Sequence, residues 1–558
     1  WDAFEMTDEK TGLADVMRKT HPRIFVTDWQ VIRDRIQTDE NMKAWADTVI
    51  AFADSHLNTS PVEYTINVRG NINEDSTEFK DRVVPIAAAY CITGDTRYKD
   101  RVYKEMVAIG NWPDWGAAAW LCTAHILYAY GVCYDWLYND FTPEQRETLT
   151  GFVRDQGFKE SVLAYECKGP SHGWVDGGNA KTNWCQVCNG SNLVAAIAFA
   201  DELPEIADYI LDKAAIGLPY SFQEISADGA YAEPLTYWDY GVRHQVKAMA
   251  ALDSALEPGK TLPARLDFKD VRGISNTSDF PIYYNGITGS FNYGDAASEI
   301  VCSPIMYWLA NKYDKPQYAW YAQNLEDTNP SVSLTGKDAV LSLLWYDPDN
   351  AAGGTMPLDK FYKSSEQYGA NGISMRSSFE DLDALIVMAH AGDATASHSN
   401  LDAGGFVLDW AGKRWVHMYG REPGGENAGV VYGWPKYHTR TEDGRYTYYH
   451  TRGEANNTII ANPQQGAADM KVDYYAPMER FDSGANTAFG IIDMTDTNAD
   501  YVSAKRGFML TDMRQTLIIQ DEIVANKPSE YYWFANTLAS ITLALDGKSA
   551  LLEMDDDK

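Results

Sequence analysis

The sequence predicts an α+β protein of two domains: an incomplete (α/α) toroid over residues 1–355, followed by an antiparallel β-sheet or sandwich domain over residues 356–558. The first observation is length, because 558 residues, 45% of them apolar, exceed what one ordinary domain holds. The second is that apolar residues recur at helical spacing up to about residue 350. The third is that they alternate at every second position from about residue 356 onward.

The helical half is a series of amphipathic blocks separated by short Gly, Pro and Asp turns, for example "TRYKDRVYKEMVAIGNW" and "AAWLCTAHILYAYGVCYDWLY". In "FTPEQRE", Thr142 has the features of an N-cap, Pro143 suits the first helical position and Glu144 suits the first turn. No fixed period repeats in the sequence, which argues against a solenoid of near-identical units. We therefore expect an irregular toroid of helix pairs.

The second half is rich in β-branched and aromatic residues with a period of two, as in "GGFVLDWAGKRWVHMYG" and "YVSAKRGFMLTDMRQTLIIQDEIVA". Short turns such as "WAGKRW" suit antiparallel pairing in a layered sheet. The segment "DPDNAAGGTMP" is the predicted linker between the two domains.

Composition excludes several classes of function. The net charge is -32, whereas nucleic acids and anionic membranes both require a basic face on the protein. The longest apolar runs, such as "LVAAIAFA", fall far short of the roughly 18 residues of a membrane span. Most of the seven cysteines lie in apolar segments, where thiols pack as small hydrophobic groups, and the lone C-x-x-C of Cys185 and Cys188 lacks the partners of a zinc or redox motif.

Three segments are too polar for the cores that they interrupt. The first, "WVDGGNAKTNWCQVCNGSN", brings Asn183 and Trp184 to the start of an apolar helix. A capped helix start accounts for Gly178 and Asn179. It accounts less well for Asn183, because an amide followed by Trp presents a hydrogen-bond donor beside a stacking surface for a sugar.

The second polar segment is "ADGAYAEPLTYWDYGVRHQ". Helical spacing places Tyr237, Tyr240 and His244 on one face, with Arg243 in the same turn as His244. Tyrosines at this spacing are often packing residues. A cation and an imidazole nearby are also what a phenol needs for acid–base work, so spacing alone leaves both interpretations open.

The third segment, "ASHSNLDAGGF", contains His398, which on its own is more often a hydrogen-bonded structural residue than a catalyst. Three parts of the β half are candidates to lie close together in the fold. They are the turn around His398, His417 on the next strand and Asn456 at a later strand. One imidazole and the amide oxygens of Asn400 and Asn456 would form a divalent-metal site of mixed hardness. The alternative is that the three residues are unrelated.

The order of these segments resembles the heparinase II/III-like polysaccharide lyases and their alginate-lyase relatives. The motifs that carry the resemblance are "TNW", "DGAYAEPLTYWDY", "HSNLDAGGF" and "NNT", and they span most of the chain. The resemblance implies that Asn183 holds the substrate carboxylate, that Tyr240 is the catalytic tyrosine and that His398 is its partner base. Tyr237 is the fallback if the helix register is off by one turn.

The resemblance also implies a metal in the β domain, because members of the family often bind zinc there through two histidines and an aspartate. The matching positions in this sequence are Asn400, His417 and Asn456. Amide oxygens suit Mn²⁺ or Ca²⁺ better than Zn²⁺, so we expect a structural divalent ion, with Mn²⁺ or Ca²⁺ favoured over Zn²⁺.

The function implied is β-elimination of a uronic-acid polysaccharide: a glycosaminoglycan such as hyaluronan, chondroitin or heparan sulfate, or alginate. A basic cleft on the acidic body would capture this acidic substrate. The expected substrate-binding residues are Trp184, Tyr237, Arg243, His244, Arg421 and Tyr432. The resemblance implies a secreted or periplasmic protein whose leader preceded Trp1, and the sequence leaves the oligomeric state open.

Two other functions fit the same residues. One is a glycoside hydrolase on a helical toroid, because such toroids host unrelated enzymes. Its acid and base would be a pair of carboxylates drawn from Asp176, Glu224, Asp228, Glu233 and Asp239. The other is a glycan-binding protein without catalysis. Elimination leaves an ultraviolet-absorbing double bond in the product, which neither alternative produces.

Overall fold

A computed structural model describes residues 10–176, 180–329, 332, 334, 336–351, 353, 355–363, 371–421, 439–463 and 469–554. The helical half is followed by an antiparallel β half, as the sequence predicts. The last helix ends at Trp345 and the first strand begins at Asp359, so the predicted boundary at residue 355 falls in the connection between them.

The α-helices are α1 (Trp29–Ile36), α2 (Glu40–His56), α3 (Asn73–Thr93), α4 (Thr96–Gly110), α5 (Leu121–Leu137), α6 (Pro143–Phe152), α7 (Lys159–Tyr165), α8 (Asn183–Ala198), α9 (Pro204–Ser221), α10 (Leu235–Ala255), α11 (Asp279–Tyr284), α12 (Ile305–Tyr313), α13 (Pro316–Thr328) and α14 (Gly336–Trp345). Helices α3, α5, α8 and α10 pack in this order, each against the next. They form the inner wall of the helical half, and α4 and α9 flank it through contacts with α3 and α8.

Local capping explains where two of these helices begin. The Thr142 side chain accepts a hydrogen bond from the Gln145 amide, the Gln145 side chain bonds back to the Thr142 amide, and Pro143 opens α6. The Thr182 side chain likewise accepts from the Trp184 amide, which sets Asn183 as the first residue of α8. The start of α6 confirms the sequence prediction, whereas the cap of α8 is Thr182, which the sequence interpretation did not single out.

Glycines allow the inner helices to approach closely. A Cβ atom added at Gly131 of α5 would lie 2.9 Å from the Ala195 Cα of α8. A Cβ added at Gly190 of α8 would lie 2.7 Å from the His244 carbonyl oxygen of α10. Real Cβ atoms do not come this close to backbone, so α8 keeps its place between α5 and α10 only because these positions lack a side chain.

The strands are β1 (Asp359–Lys363), β2 (Asn371–Arg376), β3 (Ile386–Asp393), β4 (Phe406–Trp410), β5 (Lys413–Val416), β6 (Ile459–Ala461), β7 (Tyr475–Ala476), β8 (Met478–Ser483), β9 (Ala488–Asp493), β10 (Tyr501–Thr511), β11 (Thr516–Ala525), β12 (Tyr531–Trp533), β13 (Ser540–Leu543) and β14 (Ala550–Glu553). One sheet has the order β1-β2-β3-β4-β5, with β7 paired to β3, and a second has the order β11-β10-β9-β8. Two further pairs, β12 with β6 and β13 with β14, complete the described strands, and every pairing is antiparallel.

The first sheet lies between the helices and the second sheet. In β3, Ile386 and Met388 belong to the apolar core of the helical half, whereas Val387 and Ala389 belong to the core shared with the second sheet. Alternate residues of one strand therefore serve two cores, which explains why β3 is buried along its whole length. This packing fixes the β half against the inner helices.

All seven cysteines, each within the described residues, are free thiols. Cys185 and Cys188 are buried in α8, and burial raises the pKa of both thiols. Their C-x-x-C is therefore a packing feature. Among the described helices, none combines the length and the apolar character that crossing a bilayer requires.

The α8–α10 crossing yields a stability prediction. Gly190→Ala should destabilise the protein by about 1–3 kcal/mol, the usual cost of overpacking, because the His244 carbonyl cannot move away alone. Urea unfolding followed by circular dichroism measures this. Gly151→Ala is the control: Gly151 lies in α6 with open space where a Cβ would go, and alanine there should stabilise by up to about 1 kcal/mol. Equal effects of the two substitutions would contradict the packing argument.

Candidate active site

Asn183 is fixed by a carboxylate from the segment that leads into α10. Its side-chain Nδ2 lies 2.9 Å and 3.1 Å from the two oxygens of Glu233, and its backbone N–H also donates to Glu233 at 3.2 Å. The Tyr231 hydroxyl donates to Gln186 at 2.8 Å and to Glu233 at 3.3 Å. Asn183 and Glu233 are both buried, so the amide has one orientation.

His398 lies against the same group. Its ring stacks on Tyr237 of α10, with centroids 3.6 Å apart and planes at 14°. Its Nε2 is 3.7 Å from Glu233, and its Nδ1 is 3.3 Å from Asp295. The backbone of His398 is left-handed, with φ 62°, which is an uncommon conformation for a residue with a side chain and occurs most often at functional sites.

Tyr240 is held by a histidine from α5. The Tyr240 hydroxyl and His125 Nε2 are 2.8 Å apart, and His125 Nδ1 faces the hydroxyls of Ser76 and Thr77 at 3.4 Å and 3.2 Å. Burial, and then the positive charge of Lys80, hold the pKa of His125 well below its usual range. His125 is therefore neutral at physiological pH.

The residues around Asn183 and those around Tyr240 belong to neighbouring helices, because α8 packs against α10. A Cβ atom added at Gly241 would lie 2.1 Å from Gln186 Oε1 and 3.0 Å from Asn183 Cβ. Tyr237 and Tyr240 are one turn apart on α10. Asn183 and His398 thus both contact Glu233 where α8 and α10 begin, and Tyr240 lies one turn beyond Tyr237 on α10. An amide donor, an imidazole and a phenol are the groups that acid–base chemistry at a carbon next to a carboxylate needs.

A second carboxyl group lies beside Glu233. Burial, and then the charge of Glu233, raise the pKa of Glu224 to about 8. Glu224 is therefore mostly protonated at neutral pH, and it can donate a proton or a hydrogen bond.

The structure places two of the predicted substrate-binding residues inside ion-pair and helix contacts. Arg243 bonds Asp239 at 2.8 Å and also pairs with Asp338. His244 is buried, its Nδ1 lies 2.9 Å from the Tyr240 carbonyl, and burial keeps its pKa well below the usual range. These contacts assign both residues to the support of α10 and not to a substrate surface, which corrects the sequence expectation.

The other predicted binding residues have different environments. Trp184 is half-buried beside Asn183, and Arg421 is partly exposed. Tyr237 stacks on His398, as described above. Tyr432 lies outside the described residues. The role of these side chains toward a substrate stays a prediction.

The predicted metal ligands do not fit a cation as they are arranged. The buried Arg445 guanidinium donates to Asn400 Oδ1 at 2.9 Å and to the Ser399 carbonyl at 3.2 Å, so a positive charge already lies on one proposed ligand atom. Asn456 Nδ2 donates to the carbonyls of His450 and Arg452, at 3.2 Å and 2.7 Å. Neutral amide oxygens offer no charge to offset a divalent ion beside a guanidinium. Here Arg445 does what an ion would do, since it ties the turn of His398 to a neighbouring segment.

Three residues of this site were not identified from the sequence. His125 lies in an almost wholly apolar helix, Asp295 in an irregular segment and Arg445 in a short 3-10 turn. A histidine in the apolar stretch "LCTAHILYAY" was the one available signal, because a buried imidazole needs a polar partner. Glu233 was considered only as a hydrolase carboxylate.

No known family profile matches the sequence, and no curated protein is similar to it at the sequence level. Solved structures are similar in fold. A heparinase III aligns with a TM-score of 0.59 at 13% identity, covering 97% of this chain and 83% of that one. Heparan sulfate lyase HepC from Pedobacter heparinus has a TM-score of 0.56 at 13% identity, covering 92% and 77%. The chondroitin AC lyase of Streptomyces coelicolor A3, solved with chondroitin sulphate, has a TM-score of 0.53 at 11% identity, covering 94% and 74%. The fold implied by the sequence resemblance is confirmed.

The role of Arg445 is testable through stability. Arg445→Met should destabilise the protein by about 3 kcal/mol, because it leaves the Asn400 oxygen, the Ser399 carbonyl and the nearby Asp295 carboxylate without their cation. Arg154→Met is the control: Arg154 is exposed and pairs with its exposed neighbour Asp155, so its loss should change the unfolding free energy by less than about 1 kcal/mol. A wild-type melting curve for Arg445→Met, or Mn²⁺ or Ca²⁺ that stabilises wild type but not Asn400→Ala, would restore the metal hypothesis.

Glu224 yields a pH prediction. Its pKa is about 8 in the folded protein and near the ordinary 4.5 in the unfolded chain, so the folded state binds more protons between these values. Its contribution to stability is therefore complete below about pH 4.5 and is lost as the pH rises to 8. Glu224→Gln should flatten the fall in unfolding free energy from pH 5 to pH 8. Glu144→Gln is the control, because the α6 N-terminus already lowers the pKa of Glu144. A slope equal to wild type in Glu224→Gln would show that Glu224 titrates normally.

Proposed function

We propose that the protein is a polysaccharide lyase that cleaves a uronic-acid polymer by β-elimination. The observation that carries the proposal is that Glu233 contacts both Asn183 and His398, and that Tyr240 lies one turn along α10 from Tyr237, on which His398 stacks. The fold adds support, because it is shared with proteins described as heparan sulfate and chondroitin lyases.

The reaction removes the proton at C5 of a uronate and expels the oxygen at C4 with the next sugar. The C5 proton is weakly acidic, and the charge that develops on the neighbouring carboxylate must be stabilised. Asn183 supplies an amide donor whose orientation is fixed by Glu233, and one such donor at a developing oxyanion contributes about 3–4 kcal/mol. The protonated Glu224 carboxyl is the second group suited to lie near a carboxylate.

Tyr240 is the proposed proton carrier. The proposal requires the Tyr240 hydroxyl to be ionised to a phenolate before it accepts a proton. Neutral His125 can donate its Nε2–H to that phenolate. The phenolate takes the C5 proton and then returns it to the C4 oxygen, so the tyrosine regains its starting state.

His398 is the proposed base for the epimer whose C5 proton is on the opposite face of the sugar. The Asp295 carboxylate lies 3.3 Å from its Nδ1, which orients the ring and leaves Nε2 toward Glu233 and the site. Stacking on Tyr237 fixes the ring plane. His398 and Tyr240 thus approach the sugar from two elements.

The net charge of the protein affects how it can bind an acidic substrate. An acidic polymer is repelled by a body of charge -32, so local cations must offset that field. Lys181 and Arg440 are exposed and Arg421 is partly exposed, and the sequence places them next to the site segments. A glycosaminoglycan is the preferred substrate because two structural neighbours are described as acting on heparan sulfate or bound to chondroitin sulphate. Alginate is the alternative, and a secreted or periplasmic location belongs to the same proposal.

The deciding experiment incubates purified protein separately with hyaluronan, chondroitin sulfate, heparan sulfate and alginate. Ultraviolet absorbance and new chain ends are then followed together. The proposal expects absorbance that rises in step with new ends on at least one polymer. Saturable binding with no new ends on any of them would make the protein a glycan-binding module.

One observation favours a second candidate, a glycoside hydrolase. Glu224, with a pKa of about 8, and Glu233 are two neighbouring carboxyl groups, and a glycoside hydrolase uses such a pair as its acid and base. Against it, Glu233 is fully buried and already bonded to Asn183 and Tyr231. Asp239 is paired with Arg243, and Asp176 and Asp228 bond neighbouring side chains. New reducing ends without ultraviolet absorbance would identify hydrolysis.

Two tyrosines one turn apart provide a matched pair of variants. Tyr240→Phe should lower kcat by about 10²–10⁴, the usual contribution of a positioned acid–base group, with KM and circular dichroism nearly unchanged. Tyr237→Phe keeps the ring that stacks on His398 and should cost far less. Steady-state ultraviolet kinetics measures both. The reverse ranking would move the catalytic assignment to Tyr237.

A further inference from the structure

The loop between α7 and α8 brings together a thiol, an imidazole and a carboxylate. Cys167 Sγ is 3.2 Å from Asp176 Oδ2, and His172 Nδ1 is 3.0 Å from Asp176 Oδ1. The three ligand atoms all lie within 4.8 Å of one another. In the part of the chain that the structure describes, no other set of three His, Cys, Asp or Glu side chains meets this criterion.

These separations suit a tetrahedral zinc ion. Zinc lies about 2.3 Å from sulfur and about 2.0–2.2 Å from nitrogen or oxygen, which puts neighbouring ligand atoms roughly 3.3–3.7 Å apart. The observed 3.0 Å and 3.2 Å contacts to Asp176 need to open by a few tenths of an ångström. The separation between the Cys167 sulfur and the His172 nitrogen is within 4.8 Å and has to settle at about 3.5 Å. Side chains that are partly exposed on a loop can make that adjustment.

The backbone at Cys167 is a second, independent observation. Its φ is 54°, and it follows α7, where its N–H donates to the Ala164 carbonyl at 2.9 Å. Glycine is the usual residue at a left-handed position after a helix, and another residue there costs on the order of 1 kcal/mol. This conformation holds Cys167 at the end of α7, on the same side as His172 and Asp176, whose side chains it contacts as a group.

We propose that Cys167, His172 and Asp176 bind a zinc ion, with solvent in the fourth position. The donor set selects zinc over Ca²⁺, Mg²⁺ or Mn²⁺, because thiolate and imidazole are poor ligands for these harder ions. Binding replaces the thiol proton: Zn²⁺ and the Cys167 thiol give a zinc–sulfur bond and one released proton, while His172 binds through Nδ1.

The ion would cross-link the end of α7 to the turn that precedes α8. Trp174, between two of the ligands, is fully buried against Trp120 and Tyr165 and anchors this turn to the helical core. Asn183 begins α8 a few residues later, so the zinc would order the approach to the candidate active site. The inference does not depend on which reaction that site performs.

Metal binding should depend on pH in a defined direction. The ion must displace the proton of the Cys167 thiol, because the thiolate is the form that binds a metal. Zinc affinity should rise with pH through the neutral range.

The experiment measures zinc binding to the metal-stripped full chain by competition with a chromophoric chelator. We expect one equivalent bound by wild type. Cys167→Ser and His172→Gln should each weaken binding by more than about tenfold, because even a partner that only hydrogen-bonds a metal ligand is worth about 10- to 100-fold. Cys302→Ser, at a cysteine in the helical half remote in sequence, is the matched control and should bind as wild type does.

A spectroscopic readout separates this site from the other six cysteines. Cobalt in place of zinc should give a thiolate-to-metal charge-transfer band in wild type and in Cys302→Ser, but not in Cys167→Ser. Circular dichroism checks that each variant is folded. The proposal fails if wild type binds no stoichiometric zinc, or if Cys167→Ser binds zinc and gives the cobalt band as wild type does. Neither result bears on lyase activity, which is measured separately.

Discussion

The close packing of α8 between α5 and α10 is the constraint on which the rest of the structure depends. Backbones approach at Gly131 against Ala195, and at Gly190 against the His244 carbonyl. This approach leaves α8 buried on all sides. Asn183, Gln186, Asn189 and the Asn192 oxygen bond partners inside the core, whereas the Ser191 hydroxyl bonds none in the described part of the chain. Gln186 bonds Gln245 at 2.8 Å, for example. A helix with this much buried polarity is stable only where such bonds are made, so packing and polar contacts enforce each other.

The same packing sets the chemistry of the site. With α8 against α10, Asn183 reaches Glu233, and with α5 nearby, His125 reaches Tyr240. The β half adds His398 on a left-handed turn, held through Asp295 and Arg445. Since β3 packs its two faces against two cores, the turn that carries His398 has a fixed position relative to the helices.

The surroundings of His125 differ from the acidic body of the protein, because three lysines, Lys80, Lys247 and Lys337, lie around His125 and Asp81. Burial, and then the lysine charges, hold the pKa of His125 well below its usual range, while Lys80 and Lys337 lower the pKa of Asp81 against the effect of its burial. Burial also lowers the pKa values of Lys80 and Lys247 themselves. Such a cluster is costly to assemble away from water, and it is characteristic of places where a protonation state is controlled.

The sequence by itself determined the order of the elements and several local details. Periodicity separated the helical half from the β half, and the cap at Thr142 fixed the first residue of α6. The motif order led to Asn183, Tyr240 and His398. These features follow from residues a few positions apart, since helical and strand periods and caps are local properties.

Only the tertiary structure showed which side chains bond one another in the site. His125 and Tyr240 are 115 residues apart, Asp295 and His398 are 103 apart, and Asn400 and Arg445 are 45 apart. No local pattern spans such distances. From the sequence we therefore expected Asn400 to bind a metal, whereas its oxygen accepts a hydrogen bond from the Arg445 guanidinium. From the sequence we also expected Arg243 to bind the substrate, although Asp239 and Asp338 form ion pairs with it. The physical reason is that hydrogen bonds and ion pairs depend on distances between side chains, and folding brings distant segments to those distances while the sequence records only separation along the chain.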